Sequence, residues 1–164
     1  MDNLWKKKFS PIEVEAPNKV LNQQGEYLND ATDGLIIAKA TEYDGEIHSR
    51  TIPGISSLAI TNIADRKFNV QDELGDIQEN TFKYEFYIAS PLAPDYKYRV
   101  MFFEHNISLY PVSIVLDQEI ASEINTDEEI LCETINDFEA ILSSVLNSSK
   151  IEKVINALLS ISDT

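Results

Sequence analysis

The chain predicts an α+β fold: a mainly antiparallel sheet of five to six strands, two hairpins among them, with one N-terminal and two C-terminal helices packed on it. Three observations predict this. Asp44-Gly45 between two strand-like runs is the signature of a two-residue hairpin turn. From Phe82 to Glu104 polar and apolar residues alternate, interrupted only around Ser90–Asp95, which predicts a second hairpin. Toward both ends the apolar spacing lengthens to helical period, without the strand–helix–strand alternation of a doubly wound sheet. At 164 residues one domain over 1–164 is expected, with residues 1–9 a flexible lead.

Taken in order, Ser10-Pro11 suits one helical turn, which Pro17 interrupts. A helix is predicted from Asn18, with Val20, Leu21, Gln24, Tyr27, Leu28 and Ala31 on one stripe. Gly25 weakens it and Asp33-Gly34 ends it. Leu35–Tyr43 reads as a strand, Glu46–Ile52 as its antiparallel return, and Ser57–Ile63 as a third strand. The polar stretch Asp65–Asn80 reads as a loop. In Phe82–Ala89, Phe82, Tyr84, Phe86 and Ile88 share one face and Lys83, Glu85 and Tyr87 the other. In Tyr96–Glu104 the expected faces are Tyr96, Tyr98, Val100 and Phe102 against Lys97, Arg99, Met101 and Phe103. Val112–Leu116 adds a strand, with Pro111 marking its start or a sheet edge. Thr126-Asp127-Glu128-Glu129 fits a capping box, opening a helix whose stripe is Leu131, Ile135, Phe138, Leu142 and Val145. After Asn147-Ser148-Ser149, a box of Ser149 and Glu152 opens a last helix with Ile151, Val154, Ile155, Leu158 and Ile161 inward.

Acids outnumber bases 28 to 13, a net charge of −15. Nucleic-acid binding needs cations to neutralise phosphates, and anionic membranes repel such a chain, so neither is an expected partner. A basic protein is. No apolar run approaches the ~20 residues that span a bilayer, and Lys6-Lys7-Lys8 is not followed by the apolar core of a secretory signal. With Cys132 the one cysteine, no intrachain disulfide forms and a reducing cytoplasm is the expected compartment.

Chemistry-bearing residues are sparse. In the register set by Asp44-Gly45, Lys39, His48 and Arg50 lie on one face of the first hairpin, an anion patch or a solvated face. Glu104 and His105 are adjacent, so on a strand they point to opposite sides, and no activated nucleophile accompanies them. Acids around Cys132 raise its pKa, which argues against a reactive thiol. Metal-ligand spacing is absent, and Asp72-Glu73-Leu74-Gly75-Asp76 does not fit a calcium loop. No cofactor is expected. The aromatic residues of the second hairpin cover a sheet, or line a pocket between it and the C-terminal helices; a small-molecule binder or enzyme would need His105, Glu104 or Arg99 to meet tyrosines there.

Between Asp117 and Glu139 there are nine carboxylates and no Lys or Arg before Lys150. If Glu129, Glu133 and Asp137 share a helix face at four-residue spacing, their repulsion costs a few tenths of a kcal/mol per pair. With Asp117, Glu119 and Glu123 upstream, they form either a solvated face or an acidic docking surface. In composition alone the chain resembles bacterial immunity proteins, antitoxins and phage-encoded inhibitors. That resemblance implies a non-enzymatic protein that occludes a basic partner, with self-association through a sheet edge a further possibility.

Overall fold

In the computed structural model, which describes residues 1–45 and 81–161, five antiparallel strands form one sheet in sequence order. They are β1 (Ile37–Glu42), β2 (Phe82–Ser90), β3 (Ala93–His105), β4 (Val112–Leu116) and β5 (Glu129–Cys132). The helices are α1 (Pro17–Ala31), α2 (Gln118–Glu123), α3 (Ile135–Leu146) and α4 (Ser149–Ile161). The predicted class is the observed one. Residues 46–80, with the expected strands Glu46–Ile52 and Ser57–Ile63 and the loop from Asp65, lie outside the described residues.

Proline supplies the first turn of α1, where its missing N–H costs nothing, so the helix starts at Pro17 itself. It ends as predicted: Asp33 and Gly34 take left-handed φ values of 52° and 82°, and the Gly34 N–H donates to the Asn29 carbonyl at 2.8 Å. Gly25 has a purpose the sequence pattern hid. A Cβ there would stand 2.0 Å from the carbonyl oxygen of Ala38, so glycine lets α1 lie against β1.

That contact belongs to a row. Even-numbered residues of β1 turn their backbone groups away from β2, as the Tyr43 N–H bond to Lys83 on the other side shows. Asn22 Oδ1 accepts from the Ala40 N–H at 2.8 Å, and Asn29 Nδ2 donates to the Ile36 carbonyl at 2.9 Å. Two asparagines and a glycine on one side of α1 thus seal the β1 edge of the sheet.

One face of the sheet carries Ala38, Ala40, Phe86, Ile88, Met101, Phe103, Val112, Ile114 and Cys132, all buried. Phe138 of α3 packs on Phe103 with ring centres 6.3 Å apart, and Leu142, Val145, Ile151, Val154 and Leu158 complete the core from α3 and α4. The expected faces of the second hairpin need one correction. Phe86 pairs with Met101 but Tyr87 with Arg99, so Val100 is a bulge and the alternation reverses there. Met101, Phe103 and His105 therefore join Tyr98 on the core face, while Phe102 turns to the opposite side with Arg99.

The second correction concerns the acidic tract. Residues 129–132 are not the first turn of a helix but strand β5, paired with β4 from Val112↔Cys132 to Val115↔Glu129. The helix begins at Ile135, capped by Thr134, whose hydroxyl accepts from the Asp137 N–H at 3.2 Å. Leu131 leaves the predicted stripe and is 57% exposed, while Ile135, Phe138, Leu142 and Val145 keep it. Glu129, Glu133 and Asp137 therefore share no helix face, and no like-charge stack exists there to explain.

Candidate functional site

The upstream carboxylates serve the fold. Asp117 caps α2, its Oδ1 accepting from the N–H groups of Glu119 and Ile120 at 2.8 and 3.2 Å. Glu119 pairs with Lys150 at 2.9 Å. Glu123 reaches across to the start of α4 and accepts from the Ser149 N–H with both oxygens, at 3.0 and 2.8 Å. Hydrogen bonds from the Ser149 side chain and backbone hold the Glu123 carboxyl below its ordinary value. The Ser149 N–H predicted for a local box thus goes to a carboxylate of α2. Asp117 and Glu119 also line, with Arg99, Val100 and Glu128, a hollow of about 270 Å³ at the β3 bulge.

The downstream carboxylates differ. Asp127, Glu129, Glu133, Asp137 and Glu139 are all exposed, and no Lys or Arg among the described residues forms an ion pair with them. Strand, turn and helix start follow within thirteen residues, and this stretch from Asp127 to Glu139 forms the acidic corner of the fold. Asp137 lies in the first turn of α3, where the helix dipole favours it.

This corner is also a sheet edge. The Leu116 N–H donates to the Glu128 carbonyl at 2.8 Å, which turns the backbone groups of Glu128, Ile130 and Cys132 toward β4. Those of Glu129 and Leu131 point outward, and among the described residues no strand pairs with them.

Two cations of the second hairpin, Lys97 and Arg99, are engaged on the face opposite the core. Glu85, 6% exposed, holds both Lys97 and Arg99, the latter at 2.7 Å. Lys97 stacks over Tyr87, and Arg99 lies over Phe102 and Tyr43. Burial pushes the Glu85 carboxyl up, but the hydrogen bonds and charges of Lys97 and Arg99 outweigh it and hold it below its ordinary value. Lys97 and Arg99 are exposed on this face while Glu85 between them is buried, a difference that polar–apolar alternation does not show.

Lys39 is exposed on β1 opposite Tyr87, with α1 on the other side of the strand, while His48 and Arg50 lie outside the described residues. His105 is buried on the core face, its Nδ1 donating to the Asn106 carbonyl at 2.7 Å and its ring stacked with Phe82 and Tyr84. Glu104 and Arg99 belong to the other face, so the three groups an enzymatic pocket would need are split by the sheet. The cleft between α1, the sheet and the C-terminal helices, about 250 Å³, is lined by Tyr27, Leu28, Phe86, Ile88, Leu146 and Ile155, with no carboxylate, histidine, lysine or arginine in its lining. Cys132 is buried, and burial first, then Asp137, pushes its thiol up to about 11. Among the described residues no cluster of His, Cys, Asp and Glu is placed to hold a metal ion, and no helix is long and apolar enough to cross a membrane. No protein-family model matches the chain, and no curated protein or solved structure is similar to it.

Proposed function

We propose that the chain is a non-enzymatic protein-binding module whose acidic corner occludes a basic surface of its partner, as immunity proteins and inhibitors do. One observation carries this reading: five exposed carboxylates from Asp127 to Glu139 around an open strand, with no ion-pair partner among the described residues. Asp117, Glu119 and Glu123 have local structural partners, so Glu129, Glu133 and Asp137 are the recognition residues in this proposal. Five carboxylates left in water accelerate encounter with a cationic partner and make its binding salt-sensitive.

The test replaces Glu129, Glu133 and Asp137 with Lys, and in a control of equal net charge replaces Glu13, Glu26 and Asp30, which are exposed elsewhere. Partners are captured from the source cells at low and high salt, and the captured basic protein is then titrated by calorimetry. With circular dichroism unchanged in both, the corner variant loses affinity by roughly a hundredfold and the control keeps it. Equal binding by the two variants removes the proposal.

A further inference from the structure

The two edges of the sheet are treated differently. Asn22, Gly25 and Asn29 close β1, whereas β5 presents the outward backbone groups of Glu129 and Leu131 and an exposed leucine side chain. Open edges of this kind accept an added strand. The same chain carries an unused strand. Residues 4–9, Leu-Trp-Lys-Lys-Lys-Phe, have no helical or sheet structure, and Leu4, Trp5 and Phe9 are exposed, Trp5 at 77%. Laid out as a strand, this segment has Trp5, Lys7 and Phe9 on one side and Leu4, Lys6 and Lys8 on the other, and Pro11 stops it.

We propose that the β5 edge receives residues 4–9 of a second copy of this chain as an antiparallel sixth strand. The proposal rests on the reading of this corner as a protein-binding surface and names one partner for it. Charge complementarity selects the occupant: Lys6, Lys7 and Lys8 meet a stretch, Asp127 to Glu139, that contains acids and no cation. Direct pairing of two β5 edges would instead set Glu129 and its neighbours against like charges. Trp5 and Phe9 supply apolar cover for Leu131.

Direction selects the second copy over the chain's own arm. The arm joins the body at Glu15, whose carbonyl accepts from the Tyr110 hydroxyl at 3.1 Å. Tyr110 stands just before Val112, which lies opposite Cys132, so the arm is anchored at the Cys132 end of β5. Docked on its own β5 it would run parallel to that strand, the weaker pairing and unlike every other in this sheet. An arm arriving from a second copy runs antiparallel, and reciprocal exchange closes a two-fold dimer.

Trp5 is the one tryptophan, so its emission reports docking directly. Sedimentation velocity and fluorescence of the full chain are followed across a concentration series. The expected result is a doubling of mass with a parallel blue shift of Trp5 emission, both reversed by high salt. Replacing Lys6, Lys7 and Lys8 with Glu, in an arm free of packing, weakens dimerisation by roughly tenfold or more, as does replacing Glu129 and Glu133 with Lys. Mixing these two variants restores dimers, because each reversed arm then meets a reversed edge. A monomer at every concentration, a dimer indifferent to both variants, a mixture that stays monomeric, or a blue shift independent of concentration each overturns the proposal. Capture of a basic partner that persists while dimers are absent overturns this inference alone and leaves the function proposed above standing.

Discussion

A methyl group at position 25 would meet the Ala38 carbonyl at 2.0 Å, and neither atom belongs to a side chain that can swing away. Helix propensity alone favours alanine there by about 1 kcal/mol, but the backbone of α1 or β1 must move to admit it, and overpacking of this kind costs about 1–3 kcal/mol or more. Gly25→Ala is therefore expected to destabilise the protein by about 2 kcal/mol, measured as a lower urea midpoint with an unchanged slope. The position shows what single residues disclose. In the sequence Gly25 reads as a blemish in a helix, because the strand that touches it is thirteen residues away and its approach depends on tertiary packing. Asp33-Gly34, by contrast, is legible at once, since the left-handed turn it makes is a local property. Cys132 is intermediate. Its raised pKa follows from either reading, though burial and not the surrounding acids is the larger cause.

At the scale of elements, the asparagines of α1 do what a neighbouring strand would do for β1. Removing both side chains with Asn22→Ala and Asn29→Ala leaves the Ala40 N–H and the Ile36 carbonyl without those partners, and each lost partner costs about 1–3 kcal/mol where water does not replace it. The double variant is expected to lose about 2 kcal/mol or more and to scatter light at concentrations where the parent does not. Long elements are legible from period: α1, the β2–β3 hairpin and α4 occupy the stretches their apolar spacing marks, although Tyr27, Ala31 and Ile161 of the expected stripes are exposed. The bulge at Val100 is not legible in this way, because which residue slips depends on the partner strand. Strand β5 resembles the start of a helix in sequence for a definite reason. Four residues are too few for a period of two to show, and Leu131 happens to fit the helical stripe of Ile135 and Phe138. Pairing with β4 makes residues 129–132 a strand, and the helix begins only after Thr134.

For the molecule as a whole, acid pH pulls two ways. Protonation relieves repulsion within a chain of net charge −15, yet Glu85 and Glu123 are held below their ordinary values by native hydrogen bonds. A depressed carboxyl contributes stability that is fully present above its unfolded value, near 4.5, and is lost as pH falls through the folded one. Glu85→Gln should therefore cost about 1–2 kcal/mol near neutral pH, discounted because Lys97 and Arg99 are partly in water. The gap between variant and parent should narrow as pH falls below about 4.5; urea unfolding near neutral pH and in acid checks it, and a gap that does not change with pH contradicts it. The candidate site was legible as charge and illegible as shape. Counting carboxylates identifies the acidic third of the chain, but which of them cap helices depends on α2 meeting α4.

The seal that Asn22, Gly25 and Asn29 place on β1 limits how far this sheet can grow. Fibrils lengthen because each newly added strand exposes a fresh template on its far side, at both ends of the stack. Here one end is plugged by a helix that belongs to the same chain, so strand-by-strand extension through β1 is blocked before it begins. Among the described residues this sheet has one margin that can be joined, and is spared propagation on the other.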